Sequence, residues 1–280
     1  MTLTSHHQSA TTLPTRACTV VVLMLHGDCN MHCTFCINDA GMQCMTWEDA
    51  LEGLDWAHAW GARTVVLGGG EPFTWPHDVV RLAQVAKERG FLVQVGTNAL
   101  HLPDNWEALP WFDRWVLPIE SAEARSHDRM RLTAGSHHEV IRARLETLGR
   151  AGRSVTLSTV VTATNVEVLD SLADWILEYH ARWGNVHAWH LYRFIPHGYG
   201  IRHADTLLLP DADYQAIVDR IKSRGLPFQV FRRSDMSRSR TVEFLARRAG
   251  RLTWGEDAWG ATAPRRESSC ATQPMGICRP

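Results

Sequence analysis

Apolar positions along this chain fall into two periods that take turns. The first β-type run is Thr19–Leu25, a block too short to be anything but a strand. Thr46 then caps a helix to about Trp60, with Asp49 at its third position, Leu51, Leu54 and His58 on one face, and Gly61 at its end. Residues 63–67 read as the second strand. A helix follows from Pro76, with Val79, Leu82 and Val85 at helical spacing, and Gly90 stops it. Residues 91–95 form a third strand, trailed by a short helix near residues 103–109. The fourth strand covers 114–119, and Ser136 with Glu139 sets a capping box for a helix to about Leu148. Residues 155–162 are the fifth strand. Leu169, Leu172, Ile176, Tyr179 and Trp183 then make a helical stripe that ends at Gly184, and the sixth strand covers 186–195.

Strand and helix alternating six times imply parallel strands joined by right-handed crossovers. Six units fit an α/β fold of the incomplete-barrel kind, a partial (β/α)6 barrel over residues 18–204. From about Asp205 the rhythm changes to a helix over 211–222, a β run over 227–231 and an arginine-rich tail. Residues 205–280 are therefore expected as a C-terminal extension closing the barrel mouth, and residues 1–17 as a flexible N-terminus. In parallel architectures ligands gather at the C-terminal ends of the strands, so the residues just after each strand are the ones to weigh.

Composition narrows the function classes. With 29 basic and 30 acidic side chains, the net charge of −1 offers no bulk attraction to nucleic acid or an anionic membrane. No apolar run is long enough to span a bilayer, and residues 1–17 lack the basic and apolar regions of a signal peptide; a cytoplasmic protein is expected. Seven cysteines, three of them within eight residues, read as reduced thiols held for a metal rather than as a disulfide framework. Cys18 is expected to be buried as a small hydrophobe, and Cys18, Cys44, Cys270 and Cys278 are not spaced like a second cluster site.

Two strand ends carry the chemistry. After the first strand the chain reads His26-Gly27-Asp28-Cys29-Asn30-Met31-His32-Cys33-Thr34-Phe35-Cys36. Thiolates at this C-x3-C-x2-C spacing can converge on three corners of a cubane and leave the fourth iron for a small chelating molecule. Taken alone, the triplet also suits a zinc site completed by His26 or His32. After the second strand comes Gly68-Gly69-Gly70-Glu71-Pro72, whose glycines let a ligand approach the backbone and whose Glu71 can accept from an ammonium group.

Together the cysteine triplet and the Gly-Gly-Glu-Pro stretch resemble the radical S-adenosylmethionine (SAM) superfamily, from about Thr19 to Pro196. The resemblance implies a [4Fe–4S] cluster on Cys29, Cys33 and Cys36, and SAM as the second cofactor. It implies that Gly69, Gly70 and Glu71 contact the amino group of SAM and that one electron releases a 5′-deoxyadenosyl radical. Phe35 would pack near the adenine. Thr97 and Asn98 at the third strand, Glu120 and Ser121 at the fourth, and Arg193 at the sixth would line the SAM site. A flavodoxin- or ferredoxin-type reductant follows by the same analogy.

Within the superfamily, Gly-Gly-Glu-Pro-Phe and Asn165-Val166-Glu167 resemble viperin-like nucleotide dehydratases and, more loosely, molybdopterin-precursor cyclases. Arg232, Arg233, Arg247 and Arg248 belong to a run of seven arginines whose forks match phosphate, so a phosphorylated or otherwise anionic small molecule is the expected substrate. A natural-product tailoring enzyme, a peptide-modifying enzyme and a glycyl-radical activase are the rival readings, and a non-catalytic zinc module is the distant one.

Overall fold

A computed structural model describes residues 18–236, 239 and 241–260. Among the described residues nine strands make one sheet: β1 (Val20–Met24), β2 (Thr64–Gly68), β3 (Leu92–Gly96), β4 (Arg114–Pro118), β5 (Val155–Val161), β6 (Val186–Arg193), β7 (Gln229–Arg233), β8 (Val242–Arg248) and β9 (Arg251–Trp254). Their order is β7-β6-β5-β4-β3-β2-β1-β8-β9, and every pair is parallel except β8 with β9. The crossover helices are α1 (Trp47–Ala59), α2 (Val79–Glu88), α3 (Ala124–Arg131), α4 (His137–Arg150) and α5 (Leu169–Trp183), followed by the short α6 (Ala204–Leu207) and α7 (Asp211–Ser223).

Strand alternation sorts the side chains. Val21, Leu23, Val65, Leu67, Val93, Val95, Trp115, Leu117 and Leu157 are fully buried against the helices. Trp115 is the hub of that layer, stacked on Phe73 at 6.1 Å and edge-on to Trp106 at 4.8 Å. Residues at the alternate positions, among them Val22, Val66, Val116, Ser158 and His190, line a cavity on the other face. Thr46 and Asp49 form the reciprocal box at α1. At α2 the cap is the Asp78 side chain on Arg81 N–H, two residues later than the proline predicted as its start. At α4, Ser136 accepts from Glu139 N–H at 3.3 Å.

Two differences from the sequence expectation matter. The segment after residue 204 is expected as an extension closing the barrel mouth, and its strands are hydrogen-bonded into the sheet on both sides. There β7 lies beside β6, and β8 lies beside β1, with Val20 opposite Val242 and Met24 opposite Ala246. Arginines dominate the reading of residues 232–251, but the buried run Val242–Ala246 decides the structure, because a mostly apolar five-residue block completes a parallel edge. The second difference is α3, which the apolar pattern does not announce. Its sequence, ARSHDRMR, buries only His127 and Met130. Residues 1–17, Arg238, Arg240, Cys270 and Cys278 lie outside the described residues. Among the described residues no helix is long and apolar enough to cross a membrane.

Candidate active site

The cavity, about 530 Å³, runs along the strands and includes the residues just after several of their ends. Cys29, Cys33, Cys36, Phe35, Gly69, Gly70, Thr97, Asn98, Arg193 and Arg233 all line it. Residues expected to be functional from five separate stretches of sequence thus share one chamber.

The loop from β1 to α1 carries the thiols and is tied down along its length. It leaves and rejoins the sheet at Leu25, whose N–H donates to Gly68 O at 2.9 Å and whose carbonyl accepts from Met45 N–H at 2.8 Å. Thr34 N–H donates to Met130 O at 3.0 Å at the end of α3. Gly200 N–H reaches Cys36 O at 2.7 Å, and a Cβ on Gly200 would sit 2.9 Å from the Phe35 carbonyl carbon, so only glycine allows this approach. Arg248 of β8 takes both carboxylate oxygens of Asp39, at 2.8 and 3.1 Å.

The Gly-Gly-Glu-Pro stretch is packed against the first part of the same loop. Gly70 N–H donates to His26 O at 2.6 Å and Glu71 N–H to Asp28 O at 3.0 Å. A Cβ on Gly70 would fall 1.7 Å from Asp28 O, which is backbone and cannot step aside. Glu71 is fully buried and its carboxylate already accepts three bonds. Thr97 Oγ1 and Phe73 N–H donate to Oε1 at 2.7 and 3.2 Å, and Asn98 N–H to Oε2 at 2.7 Å. Expected to receive an ammonium group, Glu71 here braces the ends of β2 and β3, and its side chain does not line the cavity. The backbone of Gly69 and Gly70 does.

Asn98 also turns towards the thiols: its Nδ2 lies 3.5 Å from Cys29 Sγ and donates to Asn30 Oδ1 at 2.7 Å. From the other side Arg131 Nη1 approaches Cys33 Sγ at 3.7 Å, while its Nη2 and Nε hold Glu120 Oε1 at 2.6 and 3.0 Å. The guanidinium also lies 4.9 Å over the Phe35 ring. Sequence reading missed Arg131. It sits on the polar helix α3, and a lone arginine there carries no pattern.

Burial pushes the Cys29 thiol up to about 11, and the neighbouring Cys33 and Glu71 charges add to that. Burial raises Cys33 and Cys36 as well, with Arg131 pulling both back. Holding iron therefore means displacing protons from all three. Among the described residues no three His, Cys, Asp or Glu side chains stand close enough for a single ion. A cubane needs less convergence, because each thiolate takes its own corner. The donor set, three thiols with N–H donors facing two of the sulfurs, suits such a cluster. His26, one candidate to complete a zinc site, has Nε2 on Glu71 O at 2.8 Å and is buried beneath the loop.

Other expected residues are placed differently. Ser121 is buried and accepts from Glu123 N–H at 3.0 Å, and Glu120 is buried behind Arg131; neither lines the cavity. Arg193 lines it but pairs with Asp211 at 2.6 Å. Of the arginines expected to hold an anion, Arg232 is paired with Asp219, Arg247 with Asp49 and Arg248 with Asp39, all outside the cavity lining. Their positions at the ends of β7 and β8 give them structural carboxylates instead. Arg233 alone of the four faces in.

Beneath the rim, two buried imidazoles link β4 to β3. Glu120 N–H donates to His127 Nδ1 at 3.0 Å, which leaves His127 Nε2–H to donate to His137 Nδ1 at 2.8 Å. His137 Nε2–H then donates to Asn98 O, also at 2.8 Å. Each ring is both donor and acceptor, so each is neutral. Burial, with Arg131 close by, lowers His127 to about 2 and His137 to about 4. An unfolded chain would take up protons on both rings near pH 6.5 while the folded one does not. Stability is thus full above that pH and is lost as pH falls from about 6.5, towards 4 for His137 and towards 2 for His127, by about 2 kcal/mol per ring at pH 5. Urea unfolding at pH 7.5 and 5.0 should show wild type losing about 2 kcal/mol more than His137→Gln between those pH values. An equal loss in the two proteins would mean that His137 is not held neutral.

The radical SAM superfamily model matches residues 24–179, more than half of the chain. The chain belongs to the radical SAM superfamily. As a radical SAM enzyme it takes a [4Fe–4S] cluster and S-adenosylmethionine as its cofactors. It is 26% identical over 211 residues, 73% of this chain and 58% of the relative, to an AdoMet-dependent heme synthase of Methanosarcina barkeri. SuiB of Streptococcus suis superposes with a TM-score of 0.63 at 16% identity, over 79% of this chain and 50% of SuiB. Methylornithine synthase superposes with a TM-score of 0.59 at 16% identity, over 77% of this chain and 64% of that one. The chain thus spans between half and two thirds of these relatives. The two structural likenesses bear out the mixed α/β fold on a parallel sheet.

Proposed function

We propose that Cys29, Cys33 and Cys36 each hold one iron of the [4Fe–4S] cluster and that the cavity below them is where SAM and substrate meet. The observation that carries this reading is the shared chamber: three thiols on one braced loop, beside the exposed backbone of Gly69 and Gly70, over a single cavity. Held by Cys29, Cys33 and Cys36 and beside Gly69 and Gly70, a cluster and SAM would supply radical chemistry for hydrogen-atom abstraction from the substrate. The protein's own part is to position and exclude. Gly69 and Gly70 let a ligand approach the backbone, Phe35 offers a ring beside the second and third thiols, and Thr97 and Asn98 fix the third strand end. Glu71 and Glu120 act through their partners, Glu71 by holding Asn98 and Thr97, Glu120 by holding Arg131.

The substrate in this reading is an anionic small molecule, with a nucleotide as the viperin-like case. A heme precursor is the second reading, favoured because the match to the heme synthase covers 73% of the chain. The electron comes from a flavodoxin- or ferredoxin-type donor.

The test is 5′-deoxyadenosine release by anaerobically reconstituted protein given SAM and a low-potential reductant. Wild type should release it and Cys33→Ala should not. Stimulation by a nucleoside triphosphate would support the nucleotide case, and stimulation by an iron porphyrin the heme case. An iron-loaded protein that released none under any condition would overturn the catalytic assignment.

A further inference from the structure

The cavity wall is two-sided. Strands β1 and β8 contribute Val22, Met24, Val242 and Phe244, with the Trp259 ring tilted against Phe244 at 4.6 Å. Strands β3 to β7 contribute polar and basic groups, among them Gln94, Arg114, Ser158, His190, Tyr192 and Arg233. Four arginines line the cavity among the described residues, and no Asp or Glu does. Arg131 and Arg193 have their own carboxylates, Glu120 and Asp211. Arg114 and Arg233 have none within ion-pair distance among the described residues. Arg114 Nε donates to Ser154 Oγ at 3.2 Å, and Arg233 stacks 4.9 Å over Phe231 with its Nε buried and without an acceptor.

The hydrogen-bond directions on this wall are fixed by one fact: a guanidinium cannot accept. Arg233 Nη2 lies 3.4 Å from His190 Nε2, so that nitrogen must be the acceptor and the ring proton sits on Nδ1. His190 Nδ1–H then donates to Tyr192 Oη at 3.2 Å. With its oxygen accepting, the Tyr192 hydroxyl keeps its own proton for something in the cavity. Two cations and a hydroxyl donor thus face the same space, and among the described residues no Asp or Glu side chain lines it. Enclosing guanidinium groups without a counter-charge is costly, and an oxyanion is the ligand that removes the cost.

We propose that this wall is an oxyanion site: Arg233, Arg114 and the Tyr192 hydroxyl take a carboxylate or phosphate of the substrate, whose apolar body lies against Val242, Phe244 and Trp259. The proposal rests on the reading that the cavity is the substrate chamber. It keeps Arg233 of the four expected arginines, replaces Arg232, Arg247 and Arg248 with Arg114 and Tyr192 inside the sheet, and calls for an amphipathic organic acid rather than a wholly polar one.

Calorimetry on the full-length, cluster-loaded protein with SAM, under anaerobic conditions, tests it with octanoate, octyl phosphate and octan-1-ol. At least one of the two anions should bind about tenfold more tightly than octan-1-ol, as a charge-assisted contact adds at least that much. The tighter of the two identifies the anion. Arg233→Gln and Arg114→Gln should each erase most of that preference and leave octan-1-ol affinity unchanged. Octan-1-ol binding as tightly as both anions would overturn the proposal, and that comparison needs only wild type should a variant not fold. Retention of the preference in both variants would overturn it too. Deoxyadenosine release from the same samples reads the radical chemistry separately. With reductant added, release without an anion preference sinks the oxyanion site alone, and an anion preference without release under any condition supports the site while sinking the radical reading.

Discussion

Gly70→Ala is expected to lose most of its cluster, whereas Gly68→Ala, two residues earlier, is expected to keep it. A methyl on Gly70 would meet Asp28 O at 1.7 Å and the Asp28 carbonyl carbon at 2.5 Å, all of it backbone. Relief must come from separating the ends of β1 and β2, which breaks Gly70 N–H to His26 O and Glu71 N–H to Asp28 O. Asp28 is the neighbour of Cys29, so the strain lands on the first thiol. Gly68 is the control, because a methyl there meets only Val22 Cγ1 at 3.6 Å, an ordinary contact. Iron and sulfide content after identical reconstitution should fall about tenfold for Gly70→Ala and stay within about twofold of wild type for Gly68→Ala, with a stability loss of about 3 kcal/mol for the former. Equal loading of the two variants would mean that the close approach at Gly70 does not set the thiol loop.

Arg131→Met should be the most destabilising single change around the cavity. Glu120 has no exposed side-chain surface, and Arg131 supplies both donors to its Oε1 while Val160 N–H satisfies Oε2 at 2.8 Å. Removing the arginine strands a buried carboxylate, at a cost of about 3–5 kcal/mol in urea unfolding. Adding Glu120→Gln in the same chain should recover at least half, because the stranded charge goes with it. The loaded protein gives a second reading with opposite signs. Losing the cation near Cys33 should move the cluster's midpoint potential to more negative values. Glu120→Gln alone leaves that cation uncompensated and should move it to more positive values. Shifts in the same direction in both variants would rule out a charge effect of this pair on the cluster.

Much of the fold was legible because its signals are local. Six crossover units, the Thr46–Asp49 box and the Gly184 stop are written in spacing and cap residues. So was the meeting of the thiol loop with the glycine turn, since the ends of adjacent parallel strands must lie together. What escaped is non-local. Strand β8 pairs with β1 across more than two hundred residues, and Arg232, Arg247 and Arg248 read as anion ligands until their carboxylates at Asp219, Asp49 and Asp39 come into view. Helix α3 buries little and so leaves no apolar stripe, which is why Arg131 was invisible. Glu71 was legible as important, but three donors from its own chain occupy its carboxylate, and sequence spacing cannot show which way a side chain turns.

The ties on the thiol loop carry a consequence of timing. Cys29, Cys33 and Cys36 lie near the start of the chain, while the groups that hold their loop come from Met130, Gly200 and Arg248. At about 5–20 residues per second, a ribosome needs on the order of ten seconds or more after the third cysteine to deliver the last of these. Until then the three thiols ride on an unanchored segment, open to oxidation and to stray metals. Iron and sulfide find their intended seat only after β8 has closed against the first strand. Delivery of the cluster is therefore a late event in the life of the chain, set by how far apart in sequence the seat and its fastenings were placed.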